Sequence, residues 1–211
     1  MPVSSRLAAG AAAAGVVATA AAALWWRAHP SACPYGQRFW VQAPHPFITR
    51  AKLQALLDPR PGERLLEVGP GTGYYTLPVA ERLGEHGELH LLDLQPEMLD
   101  HTTGRAARAG ITNLVPRQGD ATRLPYPIHH FDGAYLTAVL GEVPDQDAAL
   151  SELRRVLKPQ GRLVVGELFG DPHWVSPRRL RRQAEKAGLR AAGRSGGLIG
   201  SFARFVPEDA G

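Results

Sequence analysis

Residues 64–76 read Arg-Leu-Leu-Glu-Val-Gly-Pro-Gly-Thr-Gly-Tyr-Tyr-Thr. The segment RLLEV has the make-up of a short buried strand, and it runs straight into glycines on alternate positions, Gly69, Gly71 and Gly73. Thr76, Val79, Ala80 and Leu83 then recur at helical spacing and stop at Gly84. Pro78 falls early enough in that helix for its missing N–H to be tolerated. A strand that enters a glycine turn and opens a helix lets backbone N–H groups approach a ligand closely. The G-x-G-x-G spacing differs from the dinucleotide pattern, and no Gly-Lys-Ser/Thr follows it as in a P-loop.

The same alternation continues on both sides. Ile48 to Leu57 reads as a helix with Ile48, Ala51, Ala55 and Leu56 on one face, stopped by Asp58-Pro59. Glu88 to Leu94 is a second strand, Pro96 to Ala109 a helix ended by Gly110, and Asn113 to Gln118 a third strand. Phe131 to Leu136 is a fourth. Asp145 caps a helix to Leu157, and Pro159-Gln160-Gly161 turns into a fifth strand, Arg162 to Leu168. A basic helix, Pro177 to Ala187, and two extended stretches, Leu189–Ala192 and Ser201–Val206, complete the chain. Strands separated by helices imply an α/β, doubly wound, mainly parallel sheet with helices on both faces. Its ligand site belongs at the carboxyl ends of the strands.

Two acidic positions fall at such ends. Asp93 lies 20 residues past Gly73, where a carboxylate accepts hydrogen bonds from a ribose diol. Gly119-Asp120-Ala121 follows strand three and suits an adenine edge, with Asp120 accepting from the amino group and the Ala121 N–H donating to the ring.

The stretches LLEVGPGTGYYT, LHLLDLQPEML, GDATRLP, FDGAYLTAVLGEVPD and LRRVLKPQGRLVV, in that order over about residues 60–168, resemble the class I S-adenosylmethionine-dependent methyltransferases of the small-molecule type 11 kind. The resemblance implies a Rossmann-like fold with a seven-stranded-type sheet and S-adenosylmethionine as cofactor. It implies that Gly69, Pro70, Gly71, Thr72 and Gly73 face the methionine part while Glu67 orders the loop. Asp93 and Leu94 belong at the ribose, Asp120 and Ala121 at the adenine, and Thr137 beside the sulfonium. The chain departs from the family at Pro159-Gln160-Gly161, where Pro-Gly-Gly is usual, and at Glu142, a position often held by His. Methyl transfer from a sulfonium is chiefly a matter of positioning, and no catalytic triad is found. No catalytic residue is assigned, and no metal site either: His129-His130 reads as a turn.

Charge separates the chain into two regions. With 24 basic and 20 acidic residues the formal charge is +4. The first acid is Asp58, and Arg6, Arg27, Arg38, Arg50 and Lys52 precede it, so residues 1–57 carry +5 while the other 19 basic and 20 acidic residues leave −1. Leu7 to Trp26 holds 20 residues without a charge, eleven of them Ala, with Trp25-Trp26-Arg27 at its end. As a helix it would be about 30 Å long, enough to span a bilayer. The cationic excess after the run predicts a single-pass anchor, residues 1–27, with the body facing the cytoplasm. A cleaved signal peptide and an Ala-rich tail without membrane function are the competing readings. Residues 28–46 read as a Pro-rich linker and docking segment, and 47–211 as the methyltransferase domain. Phe39, Trp40 and Phe47 cover a face of that domain or line its entrance. His45, His173, Tyr35, Tyr74, Tyr75 and Trp174 are further candidates for the acceptor pocket, with a structural or exposed place as the plainer reading of each.

The expected partner is a small, lipophilic or membrane-associated acceptor. The Arg178–Arg182 cluster offers an RNA or protein methyltransferase as the alternative, and a non-catalytic cofactor-binding module is a third reading. The near-neutral body argues against nucleic acid. A lone Cys33 excludes a disulfide framework and multi-thiol chemistry.

Overall fold

The computed structural model describes residues 30–37 and 46–208. The run 7–26, Phe39, Trp40 and His45 lie outside the described residues. Among the described residues no helix is long and apolar enough to cross a membrane.

The elements are α1 (Arg50–Leu57), β1 (Arg64–Val68), α2 (Thr76–Leu83), β2 (Glu88–Asp93), α3 (Pro96–Arg108), β3 (Leu114–Gln118), β4 (Phe131–Thr137), α4 (Gln146–Val156), β5 (Leu157–Leu168), α5 (Pro177–Lys186), β6 (Leu189–Gly196) and β7 (Gly200–Pro207). They build one seven-stranded sheet in the order β3-β2-β1-β4-β5-β7-β6. Strands β1 to β5 pair in parallel, while β7 lies antiparallel between β5 and β6. The order reverses between β1 and β4. The carboxyl ends of those two strands therefore part around a crevice, the expected place for a ligand.

Both sheet faces are covered. Leu66, Leu136, Leu150, Leu153 and Leu180 share one core cluster, which packs α4 and α5 against β1 and β4. Leu53, Leu57, Val79, Leu83, Leu91 and Tyr135 share the other, beneath α1 and α2. Arg162 on β5 is buried, and its guanidinium donates to Glu63 Oε2 at 2.6 Å and to the carbonyls of Asp58 and Asp132 at 2.8 and 3.0 Å. It thus ties the end of α1 to the sheet. The ion pair is tolerable in the interior because several further acceptors share the charge.

Four expectations change in detail. The helix before β1 starts at Arg50, with Thr49 capping it, so Ile48 stands outside the helical phase. Leu53 and Leu57, one turn apart, are the buried pair there, while Ala51 and Ala55 are exposed. β5 begins at Leu157 rather than Arg162, because a register irregularity opposite Phe131 and Gly133 absorbs Pro159-Gln160 within the strand. Asn113 is not in β3; its side-chain amide donates to the carbonyls of Ala80 and Gly84. The two final strands are longer than their apolar centres, since antiparallel pairing carries them on through Gly196 and Pro207.

Candidate functional site

The turn after β1 is built by glycines held at positive φ, +69° at Gly69, +55° at Gly71 and +79° at Gly73. Side chains other than glycine rarely adopt that conformation. Gly69 also has no room: a Cβ there would sit 2.5 Å from Cγ2 of Val139. The Gly69 N–H donates to the Leu92 carbonyl at 2.8 Å, which fastens the turn to the end of β2. Behind the turn, the fully buried Glu67 accepts from the Thr76 hydroxyl at 2.6 Å, joining β1 to the first residue of α2. Burial pushes its carboxyl up to about 7. Thr102 braces the turn from α3 by donating to the Gly71 carbonyl at 2.8 Å.

A cavity of about 760 Å³ opens at this edge of the sheet. Gly69, Pro70, Gly71, Asp93, Leu94, Asp120, Ala121 and Thr137, eight of the eleven residues expected at the cofactor, line it. Glu67, Thr72 and Gly73 do not. Thr72 and Gly73 are buried with Glu67 beneath the turn and act as its support. Asp93 is half-buried at the end of β2, where burial raises its pKa, and its Oδ1 accepts from the Gln95 N–H at 2.9 Å. Asp120 is exposed and uses Oδ1 to cap its own turn, accepting from the Thr122 N–H at 2.8 Å. Thr137 Oγ1 is buried without a hydrogen-bond partner among the described residues. Ala138, next to it, sits at φ +55°, strained for a residue with a Cβ.

The far side of the cavity is formed by Tyr74, Tyr75, Glu142, Leu168, Asp171 and His173. Glu142, at the position where the family often has His, lies in this wall, where burial raises its carboxyl to about 7 with help from Asp171. Its Oε2 accepts from the Cys33 N–H at 3.2 Å. Burial also raises Glu167 to about 8, and its Oε1 finds no partner among the described residues. Tyr75 donates to the Ile48 carbonyl at 2.5 Å and so fixes the entrance to α1.

The segment Ser31–Pro34 crosses the opening, and its place could not have been found from sequence spacing. The Cys33 carbonyl accepts from Gln95 Nε2, and the Tyr35 N–H donates to Gln95 Oε1, both at 2.9 Å. The segment thus links the β2–α3 loop to Glu142. Tyr35 and Trp174 lie outside the lining, with Tyr35 beside His101 and Trp174 against Phe169. His130 packs on Tyr126 and Phe131, and among the described residues no group of His, Cys, Asp and Glu could hold a metal. In the basic helix α5, Arg181 pairs with Glu185 at 2.7 Å, and none of Arg178 to Arg182 reaches the cavity.

These features suit S-adenosylmethionine. The cavity has room for a nucleoside and a second small molecule. Asp93 brings a carboxylate to the lining, and Thr137 brings a hydroxyl with no partner among the described residues. Among the described residues no Lys or Arg lines the cavity, in keeping with a cationic ligand.

Comparison with known proteins agrees. A family model described as a methyltransferase domain matches residues 59–185. The ubiquinone/menaquinone biosynthesis C-methyltransferase UbiE of Shewanella sp. strain W3-18-1 is 38% identical over 117 residues, 55% of this chain and 47% of that protein. The chain spans about half the length of the curated relatives it matches. Among solved structures, an S-adenosylmethionine-dependent methyltransferase from Aquifex aeolicus superposes with a TM-score of 0.76 at 19% identity, over 83% of this chain and all of that one. The [4+2]-cyclase SpnF superposes at 0.63 with 25% identity, over 69% and 57%. With most of its length inside the family match, the chain belongs to the S-adenosylmethionine-dependent methyltransferases.

Proposed function

We propose that the protein transfers a methyl group from S-adenosylmethionine to a small lipophilic acceptor carrying an ionisable hydroxyl, such as a quinol. One observation carries this reading. A single cavity joins Asp93, the carboxylate read as the ribose acceptor, to an aromatic and acidic wall holding Glu142, and among the described residues no Lys or Arg lines it to receive an acceptor's phosphate or carboxylate. The relatives named as quinone C-methyltransferases support the acceptor class.

The cofactor supplies a methyl group on a sulfonium, a carbon already activated toward displacement. Asp93 accepts the ribose hydroxyls, while the turn at Gly69, Pro70 and Gly71 holds the methionine end. Ala121 and Asp120 meet the adenine, and the Thr137 hydroxyl turns toward the reacting centre. Tyr74 and Tyr75 flank an acceptor ring, and the Ser31–Pro34 segment keeps water from it. Glu142 takes the hydroxyl proton, which raises the electron density on the acceptor as it attacks the methyl. A base with a pKa near the working pH is well matched to that task. Residues 1–27 anchor the chain with the domain from residue 47 on the cytoplasmic side, where a lipid-dissolved acceptor is reached.

Isothermal titration with S-adenosylmethionine tests the cofactor half, and a folded sample that binds none refutes it. Labelled methyl transfer into membrane and soluble extracts tests the acceptor half. Label confined to polar products would reject a lipophilic acceptor. The fold is shared with a [4+2]-cyclase, so the architecture hosts other chemistry, and the rival reading is a cofactor-binding module without methyl transfer. Intact titration with no labelled product would select it.

A further inference from the structure

We propose that the turn between β6 and β7, together with Phe47 and Phe169, is a docking surface for an anionic phospholipid bilayer. It deepens the reading of a lipophilic acceptor by supplying the route from the membrane to the cavity.

Four large apolar side chains face solvent here: Leu198 is 90% exposed, Phe169 58%, Ile199 47% and Phe47 42%. Single exposed apolar residues are ordinary, but a contiguous group marks an interaction surface. These four are contiguous. The Phe169 N–H donates to the Ile199 carbonyl at 2.7 Å, and a Cβ added at Gly200 would lie 2.7 Å from the Cβ of Phe47. Trp174 extends the group, its ring packed edge-on against Phe169 with centroids 5.1 Å apart.

The surface stands at the mouth of the site. Gly200 pairs with Leu168 at the carboxyl end of β5, so the turn projects from the same edge of the sheet as the cavity. Phe47 and Phe169 are the chain neighbours of Ile48 and of Leu168 and Gly170, which line it. The rim is basic. Lys52 donates to the Phe47 carbonyl at 2.9 Å, and Arg194 donates to the Gly197 carbonyl at 3.2 Å. Apolar side chains flanked by Lys52 and Arg194 match the boundary between acyl chains and anionic headgroups. A symmetric contact with a second copy would instead set Lys52 and Arg194 against their own kind. The sequence favours the same occupant. The uncharged run ends at Trp26, and the few residues from there to Pro30 span at most about 14 Å. A bilayer that holds the run therefore lies within reach of this edge.

The test uses the full chain with Cys33→Ser, carrying an environment-sensitive fluorophore at Leu198→Cys or, as control, at His86→Cys in the turn before β2 at the opposite end of the sheet. Vesicles of phosphatidylcholine with phosphatidylglycerol should shift the emission at position 198 to the blue and leave position 86 unchanged. Phosphatidylcholine alone should shift it less. No shift at 198, or equal shifts at both positions, overturns the proposal, because the anchor alone would then account for binding. A shift that needs no vesicles and grows with protein concentration overturns it in favour of a second copy. Titration with S-adenosylmethionine on the same samples separates failure of the enzymatic reading from failure of the surface. Changing both Leu198 and Ile199 to Asp should lower methyl transfer into vesicle-embedded lipid about tenfold at unchanged cofactor affinity.

Discussion

Replacing Asp93 by Asn separates the two tasks that one carboxylate performs. Oδ1 accepts from the Gln95 N–H at 2.9 Å and shapes the start of α3. An Asn side chain keeps that acceptor, so the turn survives. It replaces the other oxygen by an NH₂ and removes the charge. Hydrogen bonds to a charged group contribute about 1.5–3 kcal/mol each. Of two ribose bonds the variant loses the charge assistance of one and the geometry of the other, a total near 1.5–3 kcal/mol. That corresponds to a dissociation constant about 10- to 100-fold weaker. Isothermal titration with S-adenosylmethionine measures it, and a thermal melt without ligand checks the fold, where little change is expected. An affinity within about threefold of the wild type, with an unchanged melt, would show that Asp93 does not meet the ribose, and with it the cofactor orientation would fall.

Two further substitutions probe the same cavity. Glu142→Gln keeps the acceptor for the Cys33 N–H; it should lower the methyl-transfer rate by roughly 100-fold or more and abolish the loss of rate as pH falls through about 7, which pH–rate profiles would show. An acidic limb that persists in the variant would assign it to another group. Gly69→Ala adds a Cβ 2.5 Å from Val139 at φ +69° and should cost about 1–3 kcal/mol in denaturant unfolding, with weakened cofactor binding; an unaltered midpoint would show that the turn relaxes freely.

The sequence revealed the parts of the site that are set by local chemistry. Gly69, Gly71 and Gly73 announce themselves because only glycine sits easily at their φ values, and Asp93 because its strand ends where the apolar run ends. Glu142 was opaque for the opposite reason. Burial in the cavity wall raises its carboxyl, the charge of Asp171 adds to that, and Cys33, 109 residues earlier, donates to it; no spacing encodes that convergence. The face of α1 was misread because Ile48 looks like part of its stripe but precedes the Thr49 cap. The β6–β7 turn reads as Gly-Gly-Leu-Ile-Gly, which says nothing of Phe47 or Phe169 beside it. Contacts between distant segments made each of these, and the local pattern was silent or misleading.

Glu67 joins stability to the geometry of the turn. In the unfolded chain a glutamate titrates near 4.5, whereas in the fold burial raises it to about 7. Below about 4.5 both states are protonated and the residue makes no difference. Between the two values the folded state binds the extra proton, so stability falls as pH rises, and above about 7 the full cost of a buried charge is present. A raise of that size corresponds to about 3 kcal/mol at most. Glu67→Gln keeps an acceptor for the Thr76 hydroxyl but does not ionise. Its NH₂ gains a buried donor to satisfy, which costs about 1–3 kcal/mol at every pH. The variant should therefore melt lower than the wild type near pH 5, where the wild-type carboxyl is largely neutral, and match or exceed it near pH 8. Melting curves across that range decide the matter. Parallel pH dependences would mean that Glu67 is ionised in the fold throughout, held by donors to the carboxylate rather than by a shared proton. The glycine turn would then rest on a fixed negative charge.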